Sequence, residues 1–127
     1  MSNKSIEQVA IDLQPLIVEH RREGERQARL AVVNTVGKAG LFRLFAPKEV
    51  GGLEVSPVDA FRATVAISAA DPAVSWYMVN SMAACMIAAA LPEAQRNALF
   101  AEPDKNFGFS AVALAKASPV DGGYRLT

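Results

Sequence analysis

The sequence predicts a mainly α protein: a helical bundle of about five helices followed by the beginning of a β domain. Two patterns indicate this. From Ile6 to Phe100, apolar residues recur at helical spacing between capping and proline signals, and after Phe107 they alternate with a period of two. We therefore predict a helical domain over residues 1–104 and the first hairpin of an incomplete β domain over residues 105–127.

Composition narrows the class of protein. The chain has 127 residues, of which 51% are hydrophobic, and this is enough for one core. Its 13 Lys and Arg residues are balanced by 13 Asp and Glu residues, so the basic excess typical of nucleic-acid or anionic-membrane binding is missing. The single cysteine, Cys85, cannot form an internal disulfide, and the N-terminus lacks a signal-peptide pattern. We expect a cytoplasmic protein with no nucleic-acid or membrane partner.

The first two helices are predicted from apolar spacing. The first begins near Ile6 and carries Pro15, which predicts a kink or a restart because proline removes an intrahelical hydrogen bond. The second is predicted from Gln27 to Ala39, with Gly40 as its C-terminal cap. Its expected buried residues are Leu30, Val33 and Val36.

The third, fourth and fifth helices share an opening signal. Ser56 and Asp71 are N-cap residues, and each is followed by a proline at the first helical position. Pro92 opens a short fifth helix that ends near Phe100. The expected buried stripe of the third helix is Val58, Phe61, Val65 and Ala69.

The fourth helix contains an uncharged stretch of 19 residues, from Ala73 to Leu91. That length could just cross a bilayer. However, six of these residues are alanine, acids flank both ends, and a spanning helix would be richer in Leu, Ile and Phe. We therefore predict a central helix buried on all sides.

The C-terminal region has the pattern of a sheet that is beginning. Residues Phe107 to Ala115 alternate with a strand period, Asp121-Gly122-Gly123 is a turn signal, and Tyr124 begins another strand.

Two polar residues of the fourth helix are the first candidates for a site. Asn80 and Ser81 lie in an otherwise apolar stretch, where a polar group needs a partner. They either bond to a neighbouring helix or face a ligand cavity beside Trp76, and the residues alone leave both open. His20 is the sole histidine, so no metal site can be assembled from His and Cys, and no catalytic group can be named.

The order of these signals resembles the N-terminal helical domain of the acyl-CoA dehydrogenase superfamily. The resemblance rests on residues 38–84, KAGLFRLFAPKEVGGLEVSPVDAFRATVAISAADPAVSWYMVNSMAA, and especially on Ala39-Gly40-Leu41-Phe42, Gly51-Gly52 and Ala70-Asp71. The closing segment SAVALAKASPVDGGYRLT, residues 110–127, resembles the first hairpin of the family's β domain. Each piece is weak alone, and the joint pattern is specific.

The resemblance implies a flavin-dependent oxidoreductase of three domains, with the fourth helix lining part of the substrate pocket. Trp76, Asn80 and Ser81 would then border the substrate or flavin pocket, and Ser110 and Val112 would supply one side of the flavin site. The cofactor is implied to be FAD or FMN, and this chain alone is not expected to bind it tightly. The substrate is implied to be an acyl-CoA or an aromatic compound, and the enzyme a homo-oligomer.

Two branches of the family remain open. The dehydrogenases carry a Thr-Glu-Pro…Gly-Ser-Asp flavin signature, where this chain has Val112-Ala113-Leu114-Ala115-Lys116. This difference favours the two-component flavin monooxygenase-like branch, whose reduced flavin comes from a flavin reductase. That branch often has a histidine on the fourth helix, and this helix has none. The alternative from another class is a non-catalytic helical interaction module derived from the same fold.

Overall fold

Five α-helices and one β-hairpin make up the computed structural model, which describes residues 4–21, 30–102, 105–108, 112 and 115–127. The helices are α1 (Ile6–His20), α2 (Leu30–Lys38), α3 (Pro57–Ala70), α4 (Pro72–Ala89) and α5 (Glu93–Leu99). The strands are β1 (Ala117–Val120) and β2 (Gly123–Leu126). The predicted fold class, a helical bundle followed by the start of a β domain, is confirmed.

Helix α1 packs along α3 and passes through Pro15 without a break. Ser5 caps its N-terminus by accepting a hydrogen bond from the Gln8 N–H at 3.2 Å. Of the two predicted outcomes at Pro15, a kink or a restart, the restart is wrong, because tertiary contacts outweigh the one hydrogen bond that proline removes. The Gln14 side chain, next to the proline, donates to the Ala66 carbonyl at 2.7 Å and so fastens α1 to α3.

Helix α2 ends as predicted and buries a different set of residues. Gly40 has a φ of 82°, the left-handed conformation that favours glycine after a helix. Val33 and Val36 are buried as predicted, but Leu30 is 73% exposed and does not join the core. Leu30 is the first described residue of the helix, and helical spacing places it at the edge of the arc that carries the buried Val32, Val33 and Val36.

Helix α3 turns the opposite face inward from the one predicted. Val58, Phe61 and Val65 are 59%, 68% and 51% exposed. The buried residues of the helix are Ala60, Ala63, Ile67 and Ala70. The prediction is wrong because apolar residues occur all round this helix, so spacing alone does not select a face. Alanines let the α1 and α4 backbones approach closely, whereas the larger side chains would hold them apart.

Helix α4 begins at its predicted cap and is buried on one side only. The Asp71 carboxylate accepts from the Ala73 N–H at 2.8 Å, and Pro72 occupies the first helical position. Trp76 and Met86 are 67% and 62% exposed, which overturns the prediction of burial on all sides. Within the described ranges, no helix is both long and apolar enough to cross a membrane.

The hairpin begins later than the sequence predicts. β1 pairs with β2 in antiparallel register, with Ala117 opposite Leu126, around the predicted turn at Asp121-Gly122. The predicted strand from Phe107 to Ala115 is wrong at residues 107, 108, 112 and 115, which are irregular. Residues 109–111 and 113–114 of that prediction lie outside the described part. We call residues 105–108 the exit segment, since they leave the helical bundle.

The two faces of α3 generate a test of the packing. Replacing Ile67, which is fully buried, with alanine should lower the unfolding free energy by about 2–4 kcal/mol through a cavity. Phe61→Ala on the same helix should change it by no more than about 0.5–1 kcal/mol, because the ring is exposed. Urea unfolding followed by far-UV circular dichroism measures both values, and equal losses would contradict the described packing.

Candidate functional site: the outer face of helix 4 and the connector behind it

Helix α4 carries an apolar face that no described element covers. We call this the outer face; it consists of Trp76, Val79, Asn80, Met86 and Ile87, which helical spacing places on one side. The Asn80 amide donates from Nδ2 to the Trp76 carbonyl at 2.8 Å, within the same helix. A contiguous exposed apolar stripe with one polar group is typical of a surface that meets a ligand or another protein element.

The inner face of α4 is bonded to the connector, which we define as residues 39–56 between α2 and α3. The Ser81 hydroxyl donates to the Phe42 carbonyl at 2.9 Å and accepts from the Phe107 N–H at 3.3 Å. Ser81 is fully buried. Its hydroxyl therefore satisfies main-chain groups of two segments that are far apart in sequence.

Cys85 lies one turn beyond Ser81 on the same inner face. Its thiol is fully buried and lies 3.5 Å from the Phe42 carbonyl. Burial raises the pKa of the Cys85 thiol to about 11, although the nearby Arg43 charge and the Ser81 hydroxyl act in the opposite direction. The thiol is therefore protonated at neutral pH, which agrees with a small core residue and not with a nucleophile.

Arg43 is the buried cation behind this surface, with only 2% of its surface exposed. Its Nη1 donates to the Val50 carbonyl at 3.0 Å, and its Nη2 donates to the Phe100 carbonyl at 3.0 Å and to the Glu102 carbonyl. The guanidinium carbon also lies 5.3 Å from the centre of the Phe100 ring. These bonds join the connector to the end of α5 and the start of the exit path.

The connector folds back on itself around Arg43. The Arg43 carbonyl accepts from the Leu53 N–H at 3.0 Å, and the Leu44 carbonyl accepts from the Val55 N–H at 2.9 Å. Gly52 is required at the return, because a Cβ there would lie 1.9 Å from the Ala46 carbonyl oxygen. Gly52 is thus a packing requirement of the loop that carries Arg43, and Gly51 before it has a φ of 79°, which favours glycine.

The structure brings some of the predicted site residues together and separates others. Trp76 and Asn80 share the outer face, and Ser81 lies on the inner face. Ser110 lies outside the described residues, and Val112 is 66% exposed. The pocket that these five residues are predicted to border stays a prediction.

Sequence reasoning missed Arg43. The available signal is its place in Leu41-Phe42-Arg43-Leu44-Phe45, where a single cation stands among large apolar residues. Such a residue is either exposed by a turn or buried with its donors satisfied, and only tertiary structure decides between these outcomes.

A concave surface lies between α1 and α3, away from the outer face of α4. It is a groove of about 380 Å³ lined by Glu7, Ile11, Gln14, Phe61, Arg62, Val65 and Ala66. None of the predicted site residues lines it. Among the described residues, no three His, Cys, Asp or Glu side chains are grouped as a metal site requires.

Comparison with known families decides the relationship. Residues 4–102 match the family Acyl-CoA dehydrogenase, N-terminal domain, which covers all five helices and the connector. The chain belongs to the acyl-CoA dehydrogenase superfamily. The resemblance that the sequence suggested is therefore confirmed at the level of the superfamily. No curated protein matches the chain.

Membership of the acyl-CoA dehydrogenase superfamily places the geometry in context. The matched region ends at Glu102, whose carbonyl accepts a hydrogen bond from Arg43. The guanidinium therefore bonds the last matched residue to the connector. The β-hairpin from Ala117 to Leu126 lies beyond the matched residues. Members of this family are generally flavoproteins.

Proposed function

We propose that this chain is the substrate-side N-terminal part of a flavin-dependent oxidoreductase, with the outer face of α4 forming one wall of the substrate or flavin pocket. The observation that carries the proposal is the exposure of this apolar face in a chain of this family. Trp76 is 67% exposed, although tryptophan is normally well buried. A cofactor or substrate that covered the ring would remove that apolar surface from water.

The residues present fit one side of a flavin site. A ligand pocket is mostly apolar with a few placed polar groups, and the outer face of α4 provides an open apolar surface with the Asn80 amide on it. Ser110 and Val112 would contribute from the stretch after the exit segment. A bound FAD or FMN would supply the electron-transfer chemistry. The chain's own residues would orient the substrate and exclude water from it.

Within the proposal, the monooxygenase-like branch is favoured over the dehydrogenase-like one. The stretch from Val112 to Lys116 lacks the Thr-Glu-Pro signature that dehydrogenases use at the flavin. The substrate would then be an aromatic compound instead of an acyl-CoA, and a flavin reductase would be the partner. Trp76 suits an aromatic substrate because an exposed indole offers a flat face for stacking.

The proposed organisation has a helical domain over residues 1–104 and the start of a β domain over residues 105–127. The family match ends at residue 102 and β1 begins at Ala117, which supports a boundary between these positions. We also propose a homo-oligomer in the cytoplasm. The balanced charge of the chain supports the absence of nucleic-acid partners.

The second candidate function is a non-catalytic interaction module. It is favoured by the groove between α1 and α3, where Phe61 and Val65 remain exposed on a surface distinct from the outer face of α4. An interaction module would use this groove and would not depend on Asn80.

The role of the outer face predicts a change in turnover. Asn80→Leu in the flavin-loaded full-length enzyme should lower kcat by about tenfold, because the amide that helps to orient the substrate is lost. The unfolding midpoint should not change, since the Asn80 amide bonds to the Trp76 carbonyl of its own helix and joins no second element. The matched control is Asn97→Leu, an exposed Asn on α5. Equal turnover in both variants would remove Asn80 from the pocket.

The completeness of the flavin site is tested on the chain itself. The 127-residue chain should show no saturable binding of FAD or FMN at micromolar concentration, because a flavin pocket must enclose most of the ligand and α4 offers one wall. Flavin fluorescence measures binding directly. Saturation in the micromolar range would show that the site is more local than proposed.

A further inference from the structure

The exit segment is fixed at one residue, Phe107. Phe107 is 9% exposed, and its ring packs edge-on against that of Phe100, with ring centres 5.2 Å apart. Phe107 belongs to no helix or strand, yet its backbone N–H is bonded to the Ser81 hydroxyl at 3.3 Å. The ring holds the residue in the core, and the N–H sets its orientation relative to α4.

Ser81 is bonded both to the connector and to the exit segment. A hydroxyl has one donor and two acceptor positions, so it can bond a carbonyl and an N–H together. Ser81 uses the donor for the Phe42 carbonyl at 2.9 Å and accepts from Phe107 with its oxygen. Since Ser81 is fully buried, water cannot replace either bond while this region stays closed.

The position of Phe107 restricts the residues that come after it in the chain. Ser110 is three residues further on, and three residues of extended chain span at most about 11 Å. Few residues therefore separate Phe107, which is bonded to α4, from the residues proposed for the flavin side. A change in the position of Phe107 would move the point from which those residues continue.

We propose that Ser81 is a positioning residue: its hydroxyl fixes Phe107 of the exit segment to α4 and to the connector, and thereby sets the point from which the chain continues toward the residues proposed for the flavin side. In this role Ser81 stands behind the pocket wall and not on it, which differs from the position that the family resemblance implies, because its hydroxyl lies on the buried inner face of α4. The importance of Ser110 and Val112 rests on the proposed function, but the fixing of Phe107 does not.

Amide hydrogen exchange of the 127-residue chain, measured residue by residue by NMR, tests this inference without any flavin. In the unsubstituted chain, the Phe107 amide should be protected although it lies outside regular secondary structure. The described core has two clusters: Ile67 lies in the larger one, and Phe107 lies in a smaller one with Ala46, Cys85, Ala88 and Phe100. Ser81→Ala should speed the exchange of the Phe107 amide at least about fivefold more than that of the Ile67 amide. If Ser81→Ala lowered only the global stability, amides that exchange through global unfolding would exchange faster by the same factor in both clusters.

The matched control is Ser75→Ala. Ser75 lies on the same helix and is buried, but its hydroxyl donates to the Pro72 carbonyl at 2.9 Å within α4. Its loss should leave the exchange of Phe107 relative to Ile67 unchanged. Equal effects of the two substitutions would overturn the proposal.

A measurement that needs no variant covers the case in which Ser81→Ala does not fold. An unprotected Phe107 amide in the unsubstituted chain would overturn the inference at once. Protection of Phe107 together with failure of the Asn80→Leu test would leave the positioning role in place and refute only the proposed pocket.

Discussion

The buried guanidinium of Arg43 is the interaction on which the rest of this structure depends. Moving a cation out of water costs several kcal/mol unless its donors are satisfied. Here the donors reach the carbonyls of Val50, Phe100 and Glu102, which belong to the connector, the end of α5 and the residues just after it. The charge can be buried only when all three segments meet, so Arg43 couples the loop that precedes α3 to the residues after α5.

This coupling determines which face of α4 remains available. The connector carries Phe42 next to Arg43, and the Phe42 carbonyl accepts from Ser81 on the inner face of the helix. Because that face is covered, the opposite face, which carries Trp76 and Asn80, is the one that the described residues leave uncovered. A structural contact in the connector thus leads to the surface that we propose as a pocket wall.

The features that sequence predicted well are local. Ser56, Asp71 and Gly40 cap helices through contacts within four residues, so the pattern contains the needed information. The family was also predictable, because it rests on an ordered series of such local signals.

The features that sequence missed depend on distant contacts. The buried face of α3 is set by how closely α1 and α4 approach its alanines, and apolar periodicity does not report that distance. The burial of Arg43 depends on Phe100, which lies 57 residues away. The exposed half of α4 was missed because an apolar, uncharged sequence is typical of a fully buried helix, whereas here Trp76, Met86 and Ile87 remain exposed.

The most direct test of the central role of Arg43 is the unfolding free energy of Arg43→Met, with Arg62→Met as the control. Methionine keeps much of the apolar stem but donates no hydrogen bonds, so the carbonyls of Val50, Phe100 and Glu102 lose this donor, and the Phe100 bond is buried. We expect a loss of about 2–4 kcal/mol for Arg43→Met. Arg62, whose partner Asp59 is 3.9 Å away on the surface, should change the value by no more than about 0.5 kcal/mol. Equal stabilities of the two variants would contradict the central role of Arg43.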